Sequence, residues 1–382
     1  MNIGFFSEGY KPIVNGVIYS MESFKKGLKA KGNNVYIYTT GYRGYKEKDP
    51  DVFRCPVLTL KLGYGIAIAS KFSFSKKAMQ VMDTLDIMHT QHPYAVGSFA
   101  MKMARQRKIP LVFTNHSQYE QSSYYIPFNQ RMVKKAIRNG VTKFANKCDC
   151  VISPSESMKK ILRNHYKIKT RIEVVPNGID LSMFKIKNSG EIRKKYKLTK
   201  EKTLVYTGRL SKEKRIDFLL KAMQLILKKE PETKLLLVGD GPDRARLESI
   251  IKEKKLQNNI IITGFVDYRR IAEYYSVADL FVTGSKSEVH PLTILEAMAI
   301  GLVPVAVIAP GNRDIITNDV DGILTPDNYS EFAKQVCILL KNKKIRNTLK
   351  KNAKETAKKY SIQETTKKLL ELYKLLIKEK QR

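Results

Sequence analysis

A chain of 382 residues with 43% hydrophobic and 9% aromatic side chains has material for two ordinary domains with packed cores, which sets aside disulfide-stapled mini-proteins, collagen-like repeats and disordered chains. Its 70 lysines and arginines against 36 acids leave a formal net charge of +34, a balance that bears on partners and not on fold. Nucleic acid, an anionic membrane surface and a phosphorylated small ligand each suit that charge.

In chain order, Ile3 to Phe6 predicts a first strand and not a signal peptide, because no basic region precedes a long apolar stretch. Tyr19 to Lys31 predicts an amphipathic helix ending at Gly32, and Val35 to Thr39, Leu111 to Thr114 and Val151 to Ser153 predict further strands. Turn residues cluster from Val175 to Asp180, and a polar stretch follows from Lys185 to Lys202. The pattern then restarts with Thr203 to Thr207, Lys234 to Val238, Ile260 to Thr263, Leu280 to Thr283 and Val303 to Val307. Leu292 to Gly311 is the most apolar long stretch, but Glu296, Pro304 and Pro310 bar it from spanning a bilayer. After Ser361, Leu369, Leu372, Tyr373 and Leu376 fall among lysines at helical spacing. Short apolar runs alternating with helices predict an α/β chain with parallel sheets, divided into residues 1–176, 177–360 and a terminal helix 361–382. Four scattered cysteines, Cys55, Cys148, Cys150 and Cys337, form no disulfide framework, and a reducing cytosolic compartment is expected.

The densest chemical signal is Ser285 through Ala299. Glu288 lies just beyond a strand, Val289 and His290 follow, Pro291 suits the first position of a helix, and Glu296 lies further along that helix. Backbone N–H groups from Leu292 to Ile294 are expected to be unpaired, with the positive end of the helix dipole behind them. An anion site bracketed by two carboxylates suits a diphosphate flanked by two sugars. Arg209 and Lys214 follow the first strand of the second half on a glycine-containing loop, which is what a diphosphate requires. Earlier in the chain, Gly16 lies on the turn after the first strand, where backbone can approach a ligand, and His116 follows the strand Leu111 to Thr114.

These residues resemble the retaining glycosyltransferases of family 4. The likeness covers nearly the whole chain and rests on Gly4 to Glu8 with Pro12 to Val17, on Asn115-His116, on Val174 to Asp180, and on Gly208-Arg209-Leu210 with Glu213-Lys214. Val238 to Pro242, Ile262 to Val266, and Glu288 through Glu296 with Gly301 and Pro304 complete it. The resemblance implies a GT-B fold, two Rossmann-like domains facing across a cleft, with the last helix crossing back to the first. It implies that Arg209 and Lys214 neutralise a nucleotide diphosphate, that Glu296 holds the ribose, and that Glu288 with the following backbone holds the donor hexose. Gly16 is implied beside the phosphates, His116 near the reacting sugar, and the base near Val266. Val289-His290 depart from the glycine and phenylalanine usual after the first glutamate, which bears on the choice of donor sugar. With two fixed cations and a helix N-terminus supplying the electrostatics, no metal cofactor is expected. The triplets Asp49-Pro50-Asp51 and Asp319-Val320-Asp321 lie away from the phosphate elements.

Acceptor preference is expected to follow from the first domain. Residues 54–82 carry Lys61, Lys71, Lys76 and Lys77 among Phe72, Phe74 and other apolar residues, and residues 129–147 carry Arg131, Lys134, Lys135 and Arg138 on a helical pattern with one apolar face. Basic segments of this kind suit a peripheral element on an anionic membrane. Together with the resemblance, they point to the 1,2-diacylglycerol 3-glycosyltransferases, which use UDP-glucose or UDP-galactose at the cytoplasmic face of the cell membrane. The alternatives are another acceptor, such as a cell-surface polysaccharide or polyprenyl-linked sugar, and, from a different class, a basic nucleic-acid-binding protein. No RNP, KH, zinc or helix-turn-helix pattern supports the last, so no nucleic-acid partner is expected.

Overall fold

Apolar strands buried on both faces build two parallel sheets in the computed structural model of the chain, which describes residues 1–56, 58, 59, 67, 68, 74–126, 128–185, 189–198 and 201–382. The chain divides into two units, Met1–Gly178 with Ile362–Arg382, and Ile179–Ser361. The seam falls within the turn cluster Val175 to Asp180.

Unit 1 contains β1 (Asn2–Ser7), β2 (Asn34–Thr40), β3 (Val52–Cys55), the short pair β4 (Leu58–Thr59) and β5 (Ala67–Ile68), β6 (Ile87–Thr90), β7 (Leu111–Thr114), β8 (Cys150–Ser153) and β9 (Ile172–Val174). Its helices before the seam are α1 (Gly16–Ala30), α2 (Lys76–Asp83), α3 (Ala95–Arg107), α4 (Gln130–Ala145) and α5 (Glu156–Asn164). The main sheet runs β3-β2-β1-β6-β7-β8-β9, so strand order reverses direction between β1 and β6. On one face, Ile3, Phe5, Val35 and Ile37 pack with Met21, Phe24 and Leu28 of α1. On the other, Phe6 stacks on Tyr38 with ring centroids 4.7 Å apart. Helix α1 begins at Gly16 because Asn15 caps it, its side chain accepting the Ile18 N–H at 3.0 Å.

Unit 2 contains α6 (Gly190–Lys195), β10 (Thr203–Thr207), α7 (Ile216–Leu227), β11 (Lys234–Val238), α8 (Arg244–Glu253), β12 (Ile260–Gly264), α9 (Ile271–Ser276), β13 (Leu280–Thr283), α10 (Leu292–Ile300), β14 (Val303–Val307), α11 (Pro310–Ile315), β15 (Ile323–Thr325), α12 (Tyr329–Lys341) and α13 (Lys343–Lys358). Its sheet runs β12-β11-β10-β13-β14-β15, with the reversal between β10 and β13. Strand residues alternate between two cores: Leu204, Tyr206, Leu235 and Leu237 enter one, Val205, Leu236 and Val238 the other.

Helix α14 (Ile362–Lys380) returns the chain to unit 1, where Leu369, Leu372, Tyr373 and Leu376 join the core formed by β1 and α1. Gly27 of α1 permits this close approach, since a methyl group there would overlap the Thr366 hydroxyl. A buried polar chain fixes the helix further: His89 Nδ1 lies 2.5 Å from the Tyr373 hydroxyl and its Nε2 lies 2.6 Å from Thr114 Oγ1. Burial lowers the His89 pKa to about 3, so the ring is neutral.

Candidate active site

Ligands of open parallel sheets bind beyond the carboxyl ends of the strands where strand order reverses. In unit 2 that position is flanked by the segments following β10 and β13. After β10, Gly208 takes φ of 143° and its N–H donates to the Val238 carbonyl at 3.0 Å, while Leu210 N–H donates to Asp240 O at 2.9 Å. Gly239 lies against this turn so closely that a methyl group would overlap the Gly208 carbonyl oxygen. The clamped loop leaves Arg209 exposed, within 3.3 Å of Glu213, which also accepts from Ser211 Oγ at 2.7 Å.

The same loop brings Lys214 to the β13 side. Lys214 Nζ donates to Glu288 Oε1 at 2.6 Å, and Ser285 Oγ donates to the same oxygen at 2.9 Å. Burial pushes the Glu288 carboxyl up, but the Lys214 charge and the bonds from Lys214 and Ser285 outweigh it and hold the group below its ordinary range. Gly311 of α11 lies against the Glu288 backbone where no side chain fits, and Asn312 Nδ2 donates to Ser285 O at 3.1 Å and Val307 O at 2.8 Å. The loop carrying Glu288 is therefore built on the start of α11.

Glu296 is 3% exposed and lies inside the unit, not on a solvated helix face. Tyr268 OH donates to its Oε1 at 2.8 Å and Tyr275 OH to its Oε2 at 2.9 Å. Burial raises its pKa to about 7 against the lowering effect of those two hydrogen bonds. Two expectations for α10 require correction. Pro291 is the cap residue, with extended ψ of 103°, and the helix begins at Leu292. The Ile294 N–H donates to the Pro291 carbonyl at 3.2 Å, because the first turn tightens, and so it does not point outward for a ligand. Val289 and His290 are both buried; the His290 ring packs 5.3 Å from that of Tyr360, and burial lowers its pKa to about 4. Val266 is half-buried against the core that holds α10.

Gly16 and His116 belong to unit 1. A methyl group at Gly16 would meet nothing within 4 Å, which leaves its backbone open to approach. His116 Nε2 lies 2.7 Å from Gln91 Oε1, and burial with neighbouring His92 and His89 holds its pKa well below the ordinary value. The two triplets of spaced aspartates are engaged within their own units. Asp49 pairs with Lys25 at 2.6 Å, Asp51 pairs with Lys29, and Asp321 accepts from Thr317 N at 2.8 Å and Thr356 Oγ1 at 2.7 Å.

The basic segments divide. Lys61, Lys71 and Phe72 lie outside the described residues. Phe74, expected at a membrane surface, is instead buried, its ring 5.4 Å from Tyr38 and 5.3 Å from Phe99, because this side of the sheet needs an aromatic cover. Lys76 and Lys77 are exposed in the first turn of α2. On α4, Arg131, Lys134 and Lys135 are exposed beside Met132, which is 71% exposed, and near Phe128, 77% exposed. The opposite face of α4 buries Val141 and Phe144. Arg138 departs from expectation: half-buried, it turns to Glu120 at 3.9 Å and His165 at 3.2 Å, so its charge is met inside the unit. Among the described residues no helix is long and apolar enough to cross a membrane.

Glu213, Tyr268, Tyr275, Ser285, Gly311 and Asn312 were not singled out as site residues from sequence. Glu213 stood within a quoted motif, but the tyrosines lie 21 and 28 residues from Glu296 and carry no local signal.

Residues 14–183 match the family described as Glycosyltransferase Family 4, and residues 188–356 match Glycosyl transferases group 1. The chain is 34% identical over 333 residues to the alpha-monoglucosyldiacylglycerol synthase of Streptococcus pneumoniae, covering 85% of this chain and 75% of the relative. It is 30% identical over 381 residues to the enzyme of that name from Acholeplasma laidlawii, covering 94% of each. Among solved structures, sucrose-phosphate synthase from Thermosynechococcus elongatus superposes with a TM-score of 0.79 at 21% identity, covering 99% of both chains. Anabaena HepE in complex with UDP-glucose gives a TM-score of 0.75 at 19% identity, covering 97% of this chain and 99% of its own.

Proposed function

Because the chain belongs to glycosyltransferase family 4, with the GT-B architecture of two parallel-sheet Rossmann-like domains, we propose that it transfers glucose or galactose from a UDP-sugar to the 3-hydroxyl of 1,2-diacylglycerol. The product is monoglycosyldiacylglycerol with the anomeric configuration retained. The observation that carries the donor half is the ion pair of Lys214 with Glu288 at the carboxyl end of the unit 2 sheet, with Glu296 buried on the adjoining helix. The names of two relatives alike over most of their length, both alpha-monoglucosyldiacylglycerol synthases, support the acceptor half. UDP-glucose as donor is further supported by its presence in HepE, which shares the fold.

In this reading Arg209 and Lys214 take the diphosphate, Glu296 the ribose hydroxyls, and Glu288 the hexose. The bond from the anomeric carbon to the diphosphate breaks with its electron pair leaving on UDP, and the acceptor hydroxyl oxygen bonds that carbon on the same face. The hydroxyl proton passes to the departing phosphate oxygen. Charge grows on the diphosphate as the bond stretches, and the two cations, fixed before the reaction, stabilise that state more than the ground state. No metal is called upon. Exposed Arg131, Lys134 and Lys135 with Met132 and Phe128 form the surface assigned to an anionic membrane, at which the enzyme acts as a peripheral protein on the cytoplasmic face.

Incubation with diacylglycerol vesicles and separately labelled UDP-glucose and UDP-galactose tests the reading. A labelled monoglycosyl lipid from one donor is expected. Labelled sugar on no lipid, with a polysaccharide or polyprenyl-linked acceptor labelled instead, would replace diacylglycerol as the acceptor.

A further inference from the structure

Glu288, the carboxylate assigned to the donor hexose, stands on a segment supported at both ends by two consecutive residues of α11. The ladder between β13 and β14 ends with the pair Thr283 and Ala306. Beyond it, the Ser285 and Val307 carbonyls are joined by a side chain: Asn312 Nδ2 donates to Ser285 O at 3.1 Å and to Val307 O at 2.8 Å. Ser285 is fully buried, and its hydroxyl donates to Glu288 Oε1 at 2.9 Å. Gly311 abuts the other end of the segment, where a methyl group would overlap the Glu288 carbonyl oxygen.

A primary amide is what this position requires. Asn312 is 0% exposed, so a lysine or arginine would bury an unpaired charge, a serine offers one donor, and an ionised aspartate offers none. The two carbonyls also decide which way the amide faces, since the opposite flip would set its oxygen against both. Its Oδ1 is buried with no hydrogen-bond partner among the described residues, so the bonding of the side chain is directed to the two carbonyls. The other donor elements have separate supports. Gly208 and Leu210, on either side of Arg209, bond to Val238 and Asp240, and Glu296 bonds to Tyr268 and Tyr275.

We propose that Asn312 is a positioning residue for the donor sugar: through the Ser285 backbone and hydroxyl it keeps the Glu288 carboxylate in place for the hexose, while the nucleotide is held without it. The inference rests on the reading of Glu288 as the hexose-binding group and deepens it. A carboxylate fixed before the sugar arrives gives up little conformational freedom on binding. One on a loosened segment must be ordered by the sugar, which weakens the hexose contact and spares the nucleotide contacts.

The test titrates UDP, UDP-glucose and UDP-galactose separately into the full chain by calorimetry, without acceptor. It compares wild type, Asn312→Ser, Ser285→Ala and the double variant, with urea midpoints alongside. Wild type is expected to bind UDP and at least one UDP-hexose. Asn312→Ser and Ser285→Ala should each weaken that UDP-hexose about tenfold and leave UDP within about twofold. The double variant should stay well short of the loss of about 100-fold that independent effects give, because both residues act along one path. Equal weakening of UDP and UDP-hexose in Asn312→Ser, unchanged affinity for both, or a double variant at about 100-fold overturns the positioning role and leaves the donor reading standing. If Asn312→Ser no longer unfolds cooperatively, Ser285→Ala decides: a selective loss of UDP-hexose supports the relay, and unchanged affinity overturns it. Wild type that binds no UDP-hexose overturns the donor reading and the proposal together.

Discussion

Lys214 and Glu288, which are 74 positions apart in sequence, meet at 2.6 Å because the loop after β10 and the loop after β13 flank the same strand reversal. The pair is only partly exposed, and the Lys214 charge helps to hold the Glu288 carboxyl below its ordinary range. Lys214→Met is expected to lower kcat by roughly 100- to 1,000-fold, the usual loss when one fixed electrostatic contact to a transition state is removed. Glu288→Gln, which keeps the Ser285 contact, should lose less. Initial rates of UDP release, alongside circular dichroism to confirm folding, check both outcomes.

Two glycines separate packing from ligand approach. Gly239 has φ of 145° and no room for a methyl group, so Gly239→Ala should destabilise unit 2 by about 1–3 kcal/mol and lower activity through misfolding. Gly16 has open space around it, so Gly16→Ala should leave the urea midpoint unchanged or raise stability by about 0.4–1 kcal/mol. A fall in turnover for Gly16→Ala at full stability then reports backbone contact with substrate. Unchanged turnover removes Gly16 from the site.

These contrasts show how unevenly the sequence disclosed the molecule. Strands β10, β11, β13 and β14 were readable to the residue, because a strand covered on both faces is a continuous apolar run bounded by polar residues. Strands β3, β6 and β15 lie outside the predicted strands: β15 has only three residues, and β3 and β6 contain Arg54 and His89, whose reason for being there lies in distant partners. The order of motifs singled out Arg209, Lys214, Glu288 and Glu296 as candidates but not the tyrosines that bond Glu296. Phe74 and Arg138 misled because their type is common to interfaces and cores, and only packing tells which applies.

Stability should depend on pH in two directions. Burial lowers His89 to about 3, His92 and His290 to about 4, and His116 further below its ordinary value, so the unfolded chain binds these protons near 6.5 while the folded chain does not. Their contribution to stability is lost as pH falls below about 6.5. Glu8 and Glu296 do the reverse: both are raised to about 7 from 4.5, so the folded chain holds two protons the unfolded chain releases, and stability falls as pH rises through that interval. Four histidines outweigh two carboxyls until about pH 7, where half-titrated carboxyls and the remaining histidine protons cancel. The urea midpoint should therefore climb from pH 5 and level off near about 7, and Glu8→Gln with Glu296→Gln should steepen the climb between about 5 and 7.

Metal removal provides a further check. With the diphosphate assigned to Arg209 and Lys214, treatment with EDTA followed by gel filtration is expected to leave the initial rate within about twofold. Loss of turnover restored by magnesium or manganese would assign part of that charge to a metal.

The chain leaves and re-enters unit 1 through neighbouring connections: Ile179 N–H donates to the Tyr360 carbonyl at 2.9 Å and bridges to Ser361. Unit 2 is thus a continuous insertion, while the core around β1 and α1 lacks Leu369, Leu372, Tyr373 and Leu376 until the last residues are in place. Truncation before Ile362 would therefore leave the residues of unit 2 intact and strip a hydrophobic layer from the unit that comes first in the chain.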